Sequence, residues 1–168
     1  MRKKVLSVLF VLSIFIPLGQ ARPDENLDAA KELFYAQDYK KAVDHLKKAT
    51  KKDPSNTEAW VLLGDSYRFL GKDKKAIKAY EMAIENDPSQ KEALLGAAIC
   101  YLNLRKRSHA IAVLKHLVET DPSNALAHFY LGVSYEGISR MSLAWEEYRI
   151  LKTLDKKLAE ELYQIIFW

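Results

Sequence analysis

Residue types able to do chemistry are scattered along this chain rather than gathered. Its one cysteine, Cys100, has no second thiol to pair with and precedes Tyr101 on an apolar helical face. A thiol buried there behaves as a small hydrophobe, whereas a nucleophile needs cationic, accessible surroundings. The four histidines are His45, His109, His116 and His128. His109 and His116 are seven positions apart, roughly 10 Å along a helix, too far to share one metal ion. His128 stands where a large aromatic side chain is found elsewhere in the chain, and is expected to be packed. Glu146 and Glu147 are adjacent, as are Glu160 and Glu161. Neighbours on a helix point in different directions, so neither pair forms the facing carboxylates of acid–base catalysis. There is no glycine-rich phosphate loop, nucleophile elbow or His-Glu-x-x-His. The expectation is a chain that is not an enzyme, with no cofactor and no metal site.

What the sequence organises instead is periodic. Asp53-Pro54, Asp87-Pro88 and Asp121-Pro122 recur every 34 residues, a period that marks a repeat array. Four copies, starting at Pro23, Thr57, Lys91 and Ala125, align with no insertion or deletion. The eighth position holds Ala30, Gly64, Ala98 and Gly132, all small; the eleventh holds Leu33, Tyr67, Tyr101 and Tyr135, all large. The twentieth holds Ala42, Ala76, Ala110 and Ala144, and the thirty-first Asp53, Asp87, Asp121 and Asp155. Within a copy, apolar and small residues recur at spacings of three and four, as in Trp60 to Tyr67 and in Ala76, Ile77, Tyr80, Ala83 and Ile84. That is the period of a helix with one apolar face. Small residues let paired helices approach, and bulky ones fill the space between. Ser55 with Glu58, and Ser89 with Glu92, have the spacing of capping boxes. Gly71 suits the left-handed turn that ends a first helix. Each proline disfavours helix at the residue before it and so separates the copies.

The pattern resembles the tetratricopeptide repeat, most closely in Trp60, Leu63, Gly64, Tyr67, Gly71, Ala76, Tyr80, Ala83 and Pro88 of the second copy. The third copy departs at Ala97, Ala98, Leu114 and Leu117; the fourth has His128 and Lys156; the first has Asn26. The resemblance covers about Pro23 to Lys157 and implies an all-α, right-handed helical solenoid of four helix–turn–helix repeats (23–56, 57–90, 91–124 and 125–157). It also implies that the work is to hold another protein or peptide. In such arrays one stripe of each first helix lines a concave groove. Here that stripe is Leu27, Lys31, Phe34 and Tyr35; Val61, Asp65, Arg68 and Phe69; Leu95, Ile99, Leu102 and Asn103; and Leu126, Phe129, Val133 and Glu136. Members of the family that bind chaperone tails clamp a terminal carboxylate with lysine, asparagine and arginine, and Leu27 and Val61 stand where such a clamp would begin. An apolar segment suits this stripe better, with Lys31, Asp65, Arg68 and Glu136 orienting it. Because a solvent-facing stripe should be polar, the stripe is either a binding surface or is covered by helix ends or by the chain's own last helix.

The two ends differ from the repeats. Arg2, Lys3 and Lys4 precede a twelve-residue run from Val5 to Ile16, apolar except for Ser7 and Ser13, then small residues up to Ala21. This is the layout of a secretory signal peptide over 1–21, cleaved after Ala21. The run spans about 18 Å, against the ~30 Å of a bilayer core; an uncleaved anchor is the alternative. With no disulfide and no N-x-Ser/Thr acceptor, export to a bacterial periplasm or cell envelope is expected. The chain has 26 basic and 22 acidic side chains; without the three basic residues of the leader, 23 face 22. That balance argues against a nucleic-acid footprint. Beyond Lys157, Leu158, Leu162 and Ile165 form one helical stripe, expected as a capping helix over 158–168 that closes the last repeat. Phe167 and Trp168 either complete that cap or make a self-associating end.

Overall fold

Each 34-residue copy folds as a helical hairpin, and the reason lies in its turns. The computed structural model describes residues 24–167, where nine α-helices and no strand are found. The pairs are α1 (Glu25–Tyr35) with α2 (Tyr39–Lys52), α3 (Thr57–Phe69) with α4 (Asp73–Asn86), α5 (Lys91–Asn103) with α6 (Arg107–Thr120), and α7 (Ala125–Glu136) with α8 (Met141–Leu154); α9 (Lys156–Phe167) follows. Within each hairpin one residue turns left-handed. Gly71 does so at φ 67°, and Gln37, Arg105 and Ser139 occupy the same position at 61°, 56° and 59°. The turn lets the N–H of Lys72 reach the carbonyl of Tyr67 at 2.8 Å. Side-chain-bearing residues pay for this conformation with a clash that glycine avoids. Arg105→Gly should therefore raise stability by about 1 kcal/mol, measured by urea unfolding.

Between hairpins the chain turns on aspartate. Asp53 Oδ1 accepts from the N–H and the hydroxyl of Ser55 at 3.0 and 2.6 Å, and Asp87 does the same for Ser89. The expected capping boxes are therefore not formed. The serines are taken by the preceding aspartates, and Asn56 caps α3 by accepting from the N–H of Ala59 at 2.9 Å. Gln90 precedes α5 without a side-chain cap bond.

The odd-numbered helices approach one another at the backbone in sequence, α1 to α3, α3 to α5, α5 to α7 and α7 to α9, while the even-numbered helices stand further apart. The array therefore curves with the first helices inside, a helical solenoid. Its core is built from matched sizes. Ala30 with Leu46 and Ala98 with Leu114 are all buried, and Gly64 leaves room for the larger Tyr80, also fully buried. The ends are closed differently. At the third and tenth positions Ala59, Ala93, Ala127, Ser66, Cys100 and Ser134 are buried, whereas the first copy has Glu25 and Glu32, both exposed. Carboxylates thus stand where a preceding copy would bury them. At the other end Lys156 replaces proline, so α9 starts two residues earlier than expected. Asp155 caps it directly, accepting from the N–H groups of Lys157 and Leu158 at 2.9 and 3.1 Å.

Candidate functional site

The inner wall begins with an aromatic cluster. Phe34 and Tyr35 end α1, Tyr39 starts α2 and Phe69 ends α3. The Phe69 ring stacks on Tyr39 at 4.7 Å between centroids and lies 6.0 Å from Phe34, which in turn meets Tyr39 at 5.4 Å and Tyr35 at 5.9 Å. The Arg68 guanidinium sits 4.4 Å over the Phe69 ring, a favourable cation–π arrangement. Tyr35 is 78% exposed and Phe69 49%. Tyr39 joins the cluster from a second helix, outside the first-helix stripe that the sequence pattern marks. Its signal is compositional: the same position holds Asp73, Arg107 and Met141 in the other copies.

The cations of the wall are already engaged. Lys31 on α1 pairs with Glu58 on α3 at 2.8 Å. Arg68 donates to Asp65 Oδ1 from Nη2 at 3.0 Å and to the Tyr80 hydroxyl from Nε at 3.2 Å, while that hydroxyl donates to the same Asp65 oxygen at 2.7 Å. Tyr80 belongs to α4, and its ring passes between Gly64 and Gly96 to reach this network. Burial, then the charge of Asp65, pushes its phenol pKa far up, so the hydroxyl remains a donor.

The remaining groove residues are distributed unevenly. Leu27 and Val61 are buried, at 7% and 8% exposure, and belong to the core rather than to an open surface. Leu95, Ile99 and Leu102 on α5 are half-buried, as is Glu136. Asn103 is exposed and bonds to Asp73 at 3.1 Å; Leu126 is 44% exposed. Phe129 and Val133 pack against the cluster formed by α8 and α9, so at the fourth copy the chain's own end covers the stripe. What stays open runs from the aromatic cluster across α5.

Two family models, both described as tetratricopeptide repeat, match residues 27–91 and 70–129. The chain belongs to the tetratricopeptide repeat family. Its fold is shared with solved structures of low sequence identity. A MamA protein crystal structure is 23% identical with a TM-score of 0.79, over 84% of this chain and 76% of that one. YrrB, described as a tetratricopeptide repeat protein with an unusual peptide-binding site, is 23% identical with a TM-score of 0.76, over 83% and 73%. MamA 41-end from Desulfovibrio magneticus RS-1 is 19% identical with a TM-score of 0.77, over 83% and 81%. No curated protein sequence matches the chain.

His109, His116 and Cys100 are engaged or enclosed within this tetratricopeptide array. Among the described residues no three His, Cys, Asp or Glu side chains converge. His109 stacks on Tyr101 at 5.2 Å, and His116 Nε2 lies 2.8 Å from the Pro88 carbonyl. Cys100 is fully buried. Burial, then the neighbouring Asp73, pushes its thiol pKa up to about 12, so almost no thiolate is present at neutral pH. No described helix is long and apolar enough to cross a membrane.

Proposed function

We propose that this tetratricopeptide repeat protein is a non-enzymatic interaction scaffold whose inner wall grips an apolar peptide or helix, within a complex of the cell envelope. The observation that carries the reading is the exposed ring cluster of Tyr35 and Phe69 over Phe34 and Tyr39, at a place where a solvated helix should be polar. Charge supports an apolar partner. Lys31 and Arg68 are each held by a carboxylate of the chain itself, which leaves little to clamp a terminal carboxylate. Self-association through the ends is less favoured: Glu25 and Glu32 oppose stacking at the first copy, and Phe167 is drawn into ring contacts with Trp145 and Tyr163 at the last.

Location in the envelope rests on the leader at 1–21, which lies outside the described residues. The test joins both parts of the reading. The exported chain is crosslinked in its native cells and its partners are recovered, with Arg22 expected as its first residue. Phe69→Asp and Ile99→Asp together should weaken capture by about thirtyfold or more while leaving helical circular dichroism intact. Capture that survives both changes removes the groove from the proposal.

A further inference from the structure

His128 makes a contact across the fourth copy that its counterpart in the second copy lacks. In the second copy the same position is Trp60, whose indole N–H donates to the carbonyl of Pro54 at 2.8 Å. His128 keeps the equivalent bond, with Nε2 3.0 Å from the carbonyl of Pro122. Its other ring nitrogen, Nδ1, lies 2.7 Å from Oε2 of Glu147 on α8. The Pro122 carbonyl and an ionised Glu147 are both acceptors, and only the imidazolium, with two N–H groups, donates to both at once. The side chains of His128 and Glu147 are 8% and 12% exposed.

We propose that His128 and Glu147 form a protonation-dependent latch between α7 and α8, closing the last copy and the helix packed on it, and loosening when the imidazolium loses its proton.

The groups around the ring agree with this. Glu147 faces it from α8 and Asp121 from the turn before α7. Asp121 is itself engaged by Lys91 of α5 at 3.0 Å, so Glu147 is the carboxylate that balances His128. Tyr135 of α7 lies near Glu147 and Glu146; burial first, and then those charges, raise its phenol pKa, so it stays neutral. The bond from Glu147 outweighs burial and holds the His128 pKa above its ordinary value of 6.5. A group whose folded pKa is raised contributes its stability in full below the unfolded value and loses it as pH rises through the folded one. The latch is therefore closed in mildly acidic solution and opens on the alkaline side. A neutral ring has one donor, so either the Pro122 carbonyl or the enclosed Glu147 then faces a lone pair, and an uncompensated enclosed carboxylate is costly. In a repeat array stability is summed over copies and their interfaces, so the end loosens before the middle. Loosening would also uncover Phe129 and Val133; that consequence, unlike the latch, rests on the groove reading.

Amide hydrogen exchange of the full chain between about pH 5 and pH 9 tests it, with α3 and α4 as the internal reference that cancels intrinsic pH dependence. Exchange in α8 and α9 relative to that reference should rise by about threefold or more above the folded pKa. It should be flat in Glu147→Gln. His128→Trp combined with Glu147→Ala, the pair found as Trp60 and Ala79 in the second copy, keeps the bond to Pro122 and leaves no enclosed carboxylate, and should give a protected end with a flat profile; it carries the test if Glu147→Gln fails to fold. A flat profile in the parent chain, or an unaltered slope in the variants, overturns the latch. So does a neutral His128 ring at pH 6.5 in imidazole nitrogen spectra.

Discussion

Alanine at Gly96 is expected to destabilise the protein by about 2–3 kcal/mol, although alanine in place of glycine within a helix ordinarily gains close to 1 kcal/mol. A Cβ at Gly96 would lie 2.4 Å from Cζ and 2.6 Å from the hydroxyl oxygen of Tyr80, and one at Gly64 would lie 2.5 Å from Cε1 of the same ring. The ring is gripped from both sides and cannot slide, because its hydroxyl is tied to Asp65 at 2.7 Å and to Arg68 at 3.2 Å. Making room means either moving α5 off α4 or breaking that network, and each costs more than the helix gains. The other copies show the compatible alternative. Where the preceding second helix carries Leu46 or Leu114 in place of Tyr80, the position of Gly96 holds Leu62 or Tyr130. Tyr80→Leu in the Gly96→Ala background should therefore recover part of the loss, a coupling of about 1–2 kcal/mol in a double-mutant cycle. Urea unfolding of the four proteins reads it. A Gly96→Ala protein as stable as its parent would mean that the ring is not gripped in this way.

The same packing explains which features could be read without coordinates. Ala42, Ala76, Ala110 and Ala144 are all fully buried, and contacts of this kind are made within one copy and its neighbour, so they appear as a size pattern at a fixed period. Helix starts were less legible. Ser55 and Ser89 have capping-box spacing, but Asp53 and Asp87, two residues earlier, compete with Glu58 and Glu92 for the serine N–H groups, and spacing alone does not rank two acceptors. The aspartates take the serine N–H and hydroxyl because a carboxylate two residues earlier closes a local Asx turn, and capping of α3 passes to Asn56 one residue on.

The groove was legible in part. Position placed Leu27 and Val61 on the free stripe with Phe34 and Phe69, yet both are buried. The fifth position lies at the stripe's margin, where the closeness of neighbouring first helices decides exposure. Tyr39 carries no such positional signal because it belongs to a second helix. The Asp65–Arg68–Tyr80 network carries none because it joins residues 12 and 15 apart through a slot left by two glycines. Neither a charge pattern nor a helical period encodes such a slot.

Leu162→Ala should cost about 4 kcal/mol, toward the upper end for truncating a buried leucine. The side chain is fully buried, and its Cδ2 lies 2.4 Å from where a Cβ on Gly132 would stand. A void there is backed on one side by Gly132, which has no side chain to move into it, so much of the cavity cost is kept. The helix that bears it has 12 residues, too few to persist in water without packing. Once released it leaves Leu151, now fully buried, and the partly buried Phe129 and Val133 exposed at the end of the array. The variant should lose the cost as a shift in the urea midpoint reported by Trp145, while amide protection in α1 to α4 persists. A loss below about 1 kcal/mol would show that α9 is held by other contacts. Light scattering of the same variant separates two roles for the terminal aromatic residues. If Trp145, Tyr163 and Phe167 serve the cap, concentration-dependent association appears only once Leu162 is gone, because only then is the apolar end open. If those rings are themselves the contact between copies, association is already present in the parent and falls when α9 is released.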